Sequence, residues 1–299
     1  MLYNSVAVEA AATGFQALYL AGRAKAAPLY KPFCMVIESN KLIETFEIPD
    51  GVGDLREWLG ERNFETPIRW SQSIRNKDWE GTIVVPRNAF ADDSLGVYKS
   101  QAEMLGISAE THPDKLLFDT LSAGFTGNSY DAVDFFSASH PIEGTTQSNL
   151  VSGALAAATF RTALSQLQGM KDYKGKPIRT RAMGMKNYLM VGPSNRATAD
   201  SIVTIPTTSS GAGNPDYKQA EVVINEYLTG DYANYWFLLA GDGPVAPLIL
   251  QIRQKPEFIS ITDPANAEML NRKRVVFGVE GRWNMGYGFY QLAQGSTGA

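Results

Sequence analysis

Ile68-Arg69-Trp70-Ser71-Gln72-Ser73-Ile74 opens the stretch that decides the fold, and Phe125 closes it. The opening alternates apolar with polar residues, the period of a half-buried strand. Glu80-Gly81-Thr82-Ile83-Val84-Val85 is a second strand pattern, stopped by Pro86, which has no N–H for a ladder. Asp92-Asp93-Ser94 offers cap residues with carboxylates suited to a helix N-terminus. Leu95, Tyr98, Ala102, Leu105 and Ala109 follow at helical spacing, and Val97, Met104 and Ile107 widen the stripe. Thr111-His112-Pro113-Asp114 carries a second start signal, after which Leu116, Leu117, Thr120 and Leu121 keep the period to Gly124. The stretch predicts one long spine helix, about 92–124, kinked or restarted near Pro113.

Outward from the spine, residues 5–25 form an Ala-rich helical pattern containing Phe15, Leu18 and Tyr19, ended by Pro28 and Pro32. Alone it would bury little, so it is expected to dock elsewhere, as an arm on a neighbouring subunit. Phe33–Ile37 and Leu42–Phe46 are short strands. Residues 50–64 are a Gly-punctuated excursion carrying Trp58. After a loop-like, aromatic 127–144, a helix is predicted over Ala154–Met170, with Leu155, Ala158, Ala163, Leu164 and Leu167 on its apolar face. Tyr188–Pro193 predicts a buried strand, Arg196–Val203 a helix with Ser194 and Asn195 as caps, and Val222–Ile224 and Tyr235–Leu239 further strands. The alternation suggests an inserted domain. Leu248–Ile252, Val275–Glu280 and Tyr287–Leu292 are expected to return to the spine's domain.

At 299 residues and 44% hydrophobic content the chain can build one large domain or two moderate ones. A net charge of −4 gives no basic footprint for tight nucleic-acid binding. Its one cysteine, Cys34, excludes an intrachain disulfide and a multi-cysteine zinc site. The N-terminus lacks a signal-peptide pattern, and no apolar run is long enough to span a membrane.

Catalytic motifs fail on inspection. Gly241-Asp242-Gly243-Pro244-Val245-Ala246 fits a dinucleotide fingerprint, but Pro244 and Pro247 prevent the helix whose N-terminus must hold the pyrophosphate. Gly169–Lys176 resembles a phosphate loop with one residue too many, and Pro177 stands where Ser or Thr must bind magnesium. His112 and His140, each followed by proline, are expected to be structural groups at turns. No cofactor, metal or catalytic residue is expected. Trp58, Trp70 and Trp79 are read as anchors of subunit contacts or of the local core.

Ile74-Arg75-Asn76-Lys77-Asp78-Trp79-Glu80-Gly81-Thr82 and Asp92-Asp93-Ser94-Leu95-Gly96-Val97-Tyr98 resemble the Mu-type major head subunits of tailed phages. Tyr130-Asp131-Ala132-Val133-Asp134-Phe135-Phe136, ending at His140-Pro141, is similar to that family's Tyr-Asp-Gly-x-x-Phe-Phe…His-Pro run, with Ala132 in place of Gly. Trp236–Leu239, Pro247–Ile249, Arg253 and Gly286–Phe289 continue the likeness in order.

The resemblance implies an α+β tailed-phage major capsid fold. It has an N-terminal arm (1–32) and a peripheral domain (33–127) with an extended loop (about 42–75) that reaches over the adjacent subunit. An axial domain (128–247) and return strands (248–299) complete it. It further implies self-assembly into hexamers and pentamers of an icosahedral shell around double-stranded DNA, which is touched weakly and non-specifically. Portal and scaffold proteins, and in some cases a decoration protein, are implied partners. The place of action is the virion, assembled in the bacterial host cytoplasm. Phe15, Tyr19, Trp58, Arg62, Trp70 and Trp79 are the candidate intersubunit contacts. Two rival readings are an encapsulin-like nanocompartment, told apart by cargo enzyme and no DNA, and a small-molecule α/β enzyme, told apart by turnover without particles.

Overall fold

A computed structural model describes residues 5–50, 57, 60, 68–92, 95–178, 181–207, 211–261 and 271–299. In chain order the elements begin with α1 (Ser5–Lys25), β1 (Cys34–Glu38), β2 (Ile43–Asp50), β3 (Ile68–Arg75), β4 (Lys77–Pro86), α2 (Arg87–Ala91) and α3 (Gly96–Ala123). Then come β5 (His140–Ile142), β6 (Thr145–Gln147), α4 (Ala157–Gly169), β7 (Lys186–Val191), α5 (Arg196–Val203), β8 (Glu221–Ile224) and β9 (Trp236–Gly241). β10 (Leu248–Ile261), β11 (Arg274–Tyr287) and β12 (Ala293–Ser296) end the chain.

Two four-stranded sheets divide the work, in the orders β1-β10-β11-β4 and β12-β9-β7-β8. In the first, only β1 and β10 run parallel. Alternate residues of β11, among them Val275, Phe277, Trp283 and Met285, point to a buried face, as a one-sided sheet requires. β10 carries Pro256 beside its register shifts. Proline is tolerated there because β1 has already ended and the strand's outer edge is open. In the second sheet, β9 is buried along its whole length: Trp236, Leu238 and Ala240 pack with Phe160, Leu167, Leu189 and Leu292, while Phe237 and Leu239 face the core shared with the spine.

The spine runs as a single helix through Pro113, which is itself buried, so it does not restart there. Asp92 does not cap it: its N–H bonds Asn88 O, so it ends α2, and Leu95 takes the cap position without a side-chain bond. Asp93 and Ser94 lie outside the described residues. Asp114 marks no new helix start either; its Oδ1 accepts the N–H groups of Leu29 and Tyr30, each at 2.9 Å. Burial raises its carboxyl pKa above the usual range, while these backbone donors and Lys31 pull the other way. Leu117 is fully buried and Leu105 partly.

The buried face of α3 departs from the expectation. Val97 and Met104 are exposed, at 69% and 67%, and Ile107 is exposed too. The face that is buried presents Ala102, Gly106, Ala109 and Pro113 before it reaches Leu116, Leu117 and Leu121. Small side chains there let α1 come close. A Cβ on Gly106 would lie 2.1 Å from Tyr19 O, and one on Gly22 would lie 2.1 Å from Glu103 O. The crossing is backbone against backbone. Arg23 bonds Glu110 at 2.9 Å beside it, and Lys25 pairs with Glu103.

α1 is thus docked on its own subunit. Phe15 and Tyr19 are 2% and 1% exposed, Phe15 meeting Phe277 at 4.6 Å and Tyr19 meeting Phe258 at 5.4 Å. In this conformation neither offers a surface to a neighbour. The amphipathic face that α1 lacks as an isolated helix is completed by α3 and the sheet.

The return segment also differs in one respect. β10 and β11 rejoin the peripheral sheet, but Tyr290–Leu292 is a 3-10 turn rather than strand, and β12 then pairs with β9 in the axial sheet. In α4 the buried residues are Phe160, Ala163 and Leu167, while Ala158 faces solvent. Asn195 precedes α5 as expected, but it and Ser194 bond Ala233 O instead of the helix end.

The crossing predicts opposite outcomes for two glycines in paired helices. A methyl added at Gly14 in α1 would meet nothing within 4 Å, so Gly14→Ala should stabilise by up to about 1 kcal/mol through helix propensity. Gly106→Ala gains the same propensity but must push α1 away, and should lose about 1–3 kcal/mol net. Urea denaturation of both variants measures the difference; equal effects would mean that α1 does not sit on α3.

Candidate functional site

Between the two sheets lies a buried polar cluster built from the Tyr130–His140 run. After α3 ends, Ser129 to Val133 turns tightly, with Ser129 N–H bonding Val133 O at 2.7 Å. The turn places Ala132 at φ 64°, the left-handed region that favours glycine. The Gly usual in the resembling family has a local reason here.

The turn aims Asp131 inward. His140 Nδ1 lies 2.6 Å from Asp131 Oδ2, and both side chains are buried. On the other side His140 Nε2 lies 3.0 Å from Asn149 Oδ1. The Asn149 amide is oriented independently. Its Nδ2 donates to Phe135 O at 2.7 Å and Tyr290 O at 3.3 Å, and its Oδ1 accepts Ser137 N–H at 2.8 Å. Both imidazole nitrogens therefore face oxygen acceptors. The ring lies flat on Tyr290, 3.6 Å between centroids and 7° between planes, and Tyr130 OH donates to Gln291 Oε1 at 2.9 Å. The cluster ties the exit from the spine to the turn that leads into β12. It is a joint, with Asp131, His140 and Asn149 all buried among the described residues.

The predicted contact residues fall in three places. Phe15 and Tyr19 are in the subunit core. Trp70 and Trp79 are half-buried and pack internally: Trp70 against Tyr130 and Tyr173, and Trp79 against His112 at 4.3 Å with its Nε1 donating to Trp283 O at 2.8 Å. Trp58 and Arg62 lie outside the described residues. His112 sits within α3 rather than at a turn, and its Nδ1 accepts the Trp283 Nε1–H at 3.1 Å. Burial holds its pKa below the usual imidazole range, helped by Lys115, which suits an acceptor nitrogen. His140 opens β5. Cys34 is buried in β1, and burial pushes its thiol pKa upward.

Asp242, in the glycine-rich turn after β9, accepts the Tyr188 hydroxyl and pairs with Lys186 at 3.3 Å; the chain then enters β10, not a helix. Among the described residues no three His, Cys, Asp or Glu side chains are arranged to hold a metal ion. No described helix is long and apolar enough to cross a membrane.

The model of the Mu-like prophage major head subunit gpT family matches residues 8–154, 150–228 and 229–299. The chain belongs to this family. It is 26% identical over 293 residues to the major capsid protein of Escherichia phage Mu, covering 98% of this chain and 74% of that protein. The FluMu major head subunit of Haemophilus influenzae is also 26% identical, over 97% of this chain and 73% of its own length. Among solved structures, the procapsid of bacteriophage JBD30 matches with a TM-score of 0.63 at 26% identity, covering 98% of this chain and 76% of that one. A virus-like particle from Pyrococcus furiosus shares the fold at 11% identity, with a TM-score of 0.55 over 95% of this chain and 98% of its own. The head subunit is a structural capsid protein of α+β, tailed-phage fold, not an enzyme.

Two substitutions probe the joint. Asp131→Ala strands a buried imidazole and should cost about 3–5 kcal/mol. Ala132→Gly relieves the left-handed backbone and should raise stability by up to about 1 kcal/mol, the looser unfolded chain offsetting part of the gain. Denaturant midpoints of unassembled subunits give both values. A stable Asp131→Ala variant would mean that the cluster does not hold the two sheets together.

Proposed function

We propose that this head subunit closes, through hexamers and pentamers of itself, into the icosahedral shell that encloses the phage's double-stranded DNA. The observation that carries the reading is the family match along the whole chain, joined to the fold likeness with the JBD30 procapsid. The structure supplies a physical rationale. Two sheets joined by a buried polar clamp make a stiff building block, and the β2–β3 hairpin projects from it, paired from Ile43–Arg75 to Asp50–Ile68. That hairpin and the residues beyond it, 51–67, make up the extended loop of the reading (about 42–75), with Trp58 and Arg62 as its contacts to the adjacent subunit; apart from Glu57 and Gly60, residues 51–67 lie outside the described residues.

Many modest contacts of this kind become strong together, because each subunit is tied to several neighbours at once. A scaffold protein and a portal are the partners that shell construction calls for, and the DNA inside is touched weakly by a chain of net charge −4. A decoration protein fits the same scheme: one JBD30 capsid is described as decorated with minor capsid protein trimers. The virion is the place of action and the host cytoplasm the place of assembly.

Expression of the chain alone, followed by sedimentation and negative-stain microscopy, tests the reading. Closed particles are expected. Deleting residues 51–60 should leave folded subunits that fail to close, and normal shells from that variant would remove the loop from the assembly scheme.

A further inference from the structure

Two connections join the β2–β3 hairpin to the body of the subunit. One is residues 39–42, between β1 and β2, and the other is the single residue Asn76, between β3 and β4. They meet at one place. Asn76 N–H bonds Leu42 O at 2.9 Å, and its Nδ2 donates to Lys41 O at 2.8 Å and to Ser39 Oγ at 3.2 Å.

Strand register sets a second amide beneath this crossing. Ile249 stands opposite Gly286 and Gln251 opposite Asn284, and residues so placed share one face of the sheet. The hairpin covers that face. A Cβ on Gly286 would lie 2.6 Å from the Ile74 side chain, and Asn284 Nδ2 donates to Arg75 O at 2.8 Å. Gln251 is thus held under the hairpin root between two bonded neighbours. Ser39 N–H bonds the O of Ile252, the next residue along, at 2.9 Å. Across the strands, Asn284 holds Arg75, the residue before Asn76.

The chain leaves polar atoms at this seam unanswered. Gln251 is 0% exposed and Asn76 4%. Neither Nε2 nor Oε1 of Gln251, nor Oδ1 of Asn76, has a hydrogen-bond partner among the described residues. The Lys41 carbonyl fixes which end of the Asn76 amide is nitrogen, so Oδ1 is turned away from it. Nor is the Ser39 hydroxyl free: it accepts from Asn76 Nδ2 and Lys41 N–H and donates toward Glu44 Oε2 at 3.2 Å.

A buried polar atom without a partner costs stability. The three such atoms here match the roughly three hydrogen bonds that a buried water makes. A cation would satisfy the two oxygens and leave the Gln251 N–H groups unmet. Water both donates and accepts, so it serves all three. Surface clefts give it a way in, one lined by Arg75, Asn284 and Gly286, another by Ser39 and Ile252.

We propose that the seam between the hairpin root and the peripheral sheet is a water-binding site, in which buried water bridges the Gln251 amide to Asn76 Oδ1. The hairpin is then seated on the body through water as well as through Ile74 and Asn76. The site belongs to the single subunit and is independent of the shell reading.

NMR of the unassembled subunit with isotope-labelled glutamine tests it, the Gln251 side-chain signals being assigned through its backbone resonances. Through-space transfer from water, distinct in sign from proton exchange, is expected at the Gln251 amide. Its absence would overturn the proposal. Stability gives a second readout. Gln251→Leu expels the water and strands Asn76 Oδ1, so the thermal midpoint should fall by about 2–4 °C. A dry, unpaired amide would instead be a burden that Gln251→Leu removes, and a midpoint that stays or rises would overturn the proposal. Exchanging sodium for choline at fixed ionic strength should leave the wild-type midpoint in place. A fall would make the occupant a cation and overturn it as well.

Discussion

α1 and α3 touch backbone to backbone at Gly22 and Gly106, and the peripheral half of the molecule is arranged around that contact. No side chain larger than hydrogen fits at either position. Because the helices approach so closely, Phe15 and Tyr19 reach past α3 to Phe277 and Phe258 on the sheet. The layer of helices thereby seals one sheet face within a single subunit. On the other face β3 covers one end, with Ile74 lying against Gly286. Folding and assembly then draw on different surfaces, so subunits are stable before they meet.

The second constraint is the joint. Buried hydrogen-bonded groups contribute modestly when satisfied and cost heavily when one partner is lost. The Asp131–His140–Asn149 chain is satisfied on every side, and it links the spine's exit, the β5–β6 hairpin and the turn before β12. Because β12 pairs with β9 rather than with the peripheral sheet, the chain crosses between the two halves repeatedly. Those crossings, with Phe135 stacked on Tyr287 at 4.7 Å, resist relative tilting of the halves.

Much of this is legible in the sequence where a period or an ordered set of motifs carries it. The two strands leading up to Pro86, the length of the spine and helix α5 all follow from apolar spacing and breaker residues. The buried face of α3 escapes the apolar period for a physical reason. Hydropathy weighs Val97, Met104 and Ile107 heavily and Gly106, Ala102 and Ala109 lightly, yet close helix packing selects the small residues. The aromatic contact candidates escape it for another. A tryptophan or phenylalanine suits a core as well as an interface, and spacing alone does not say which. The Asp131–His140 pair leaves a trace in the family-like run, but its partner Asn149 comes only with the fold.

Hydrogen–deuterium exchange on unassembled subunits and on closed shells, compared peptide by peptide, tests the central claim most directly. The account predicts that α1 is as strongly protected in the free subunit as in the shell, because its partner α3 belongs to the same chain. New protection on assembly should concentrate on the open edges and face of β4 and β10. Protection of α1 that appears only in shells would contradict the account, since it would make that helix an arm whose partner is a neighbour.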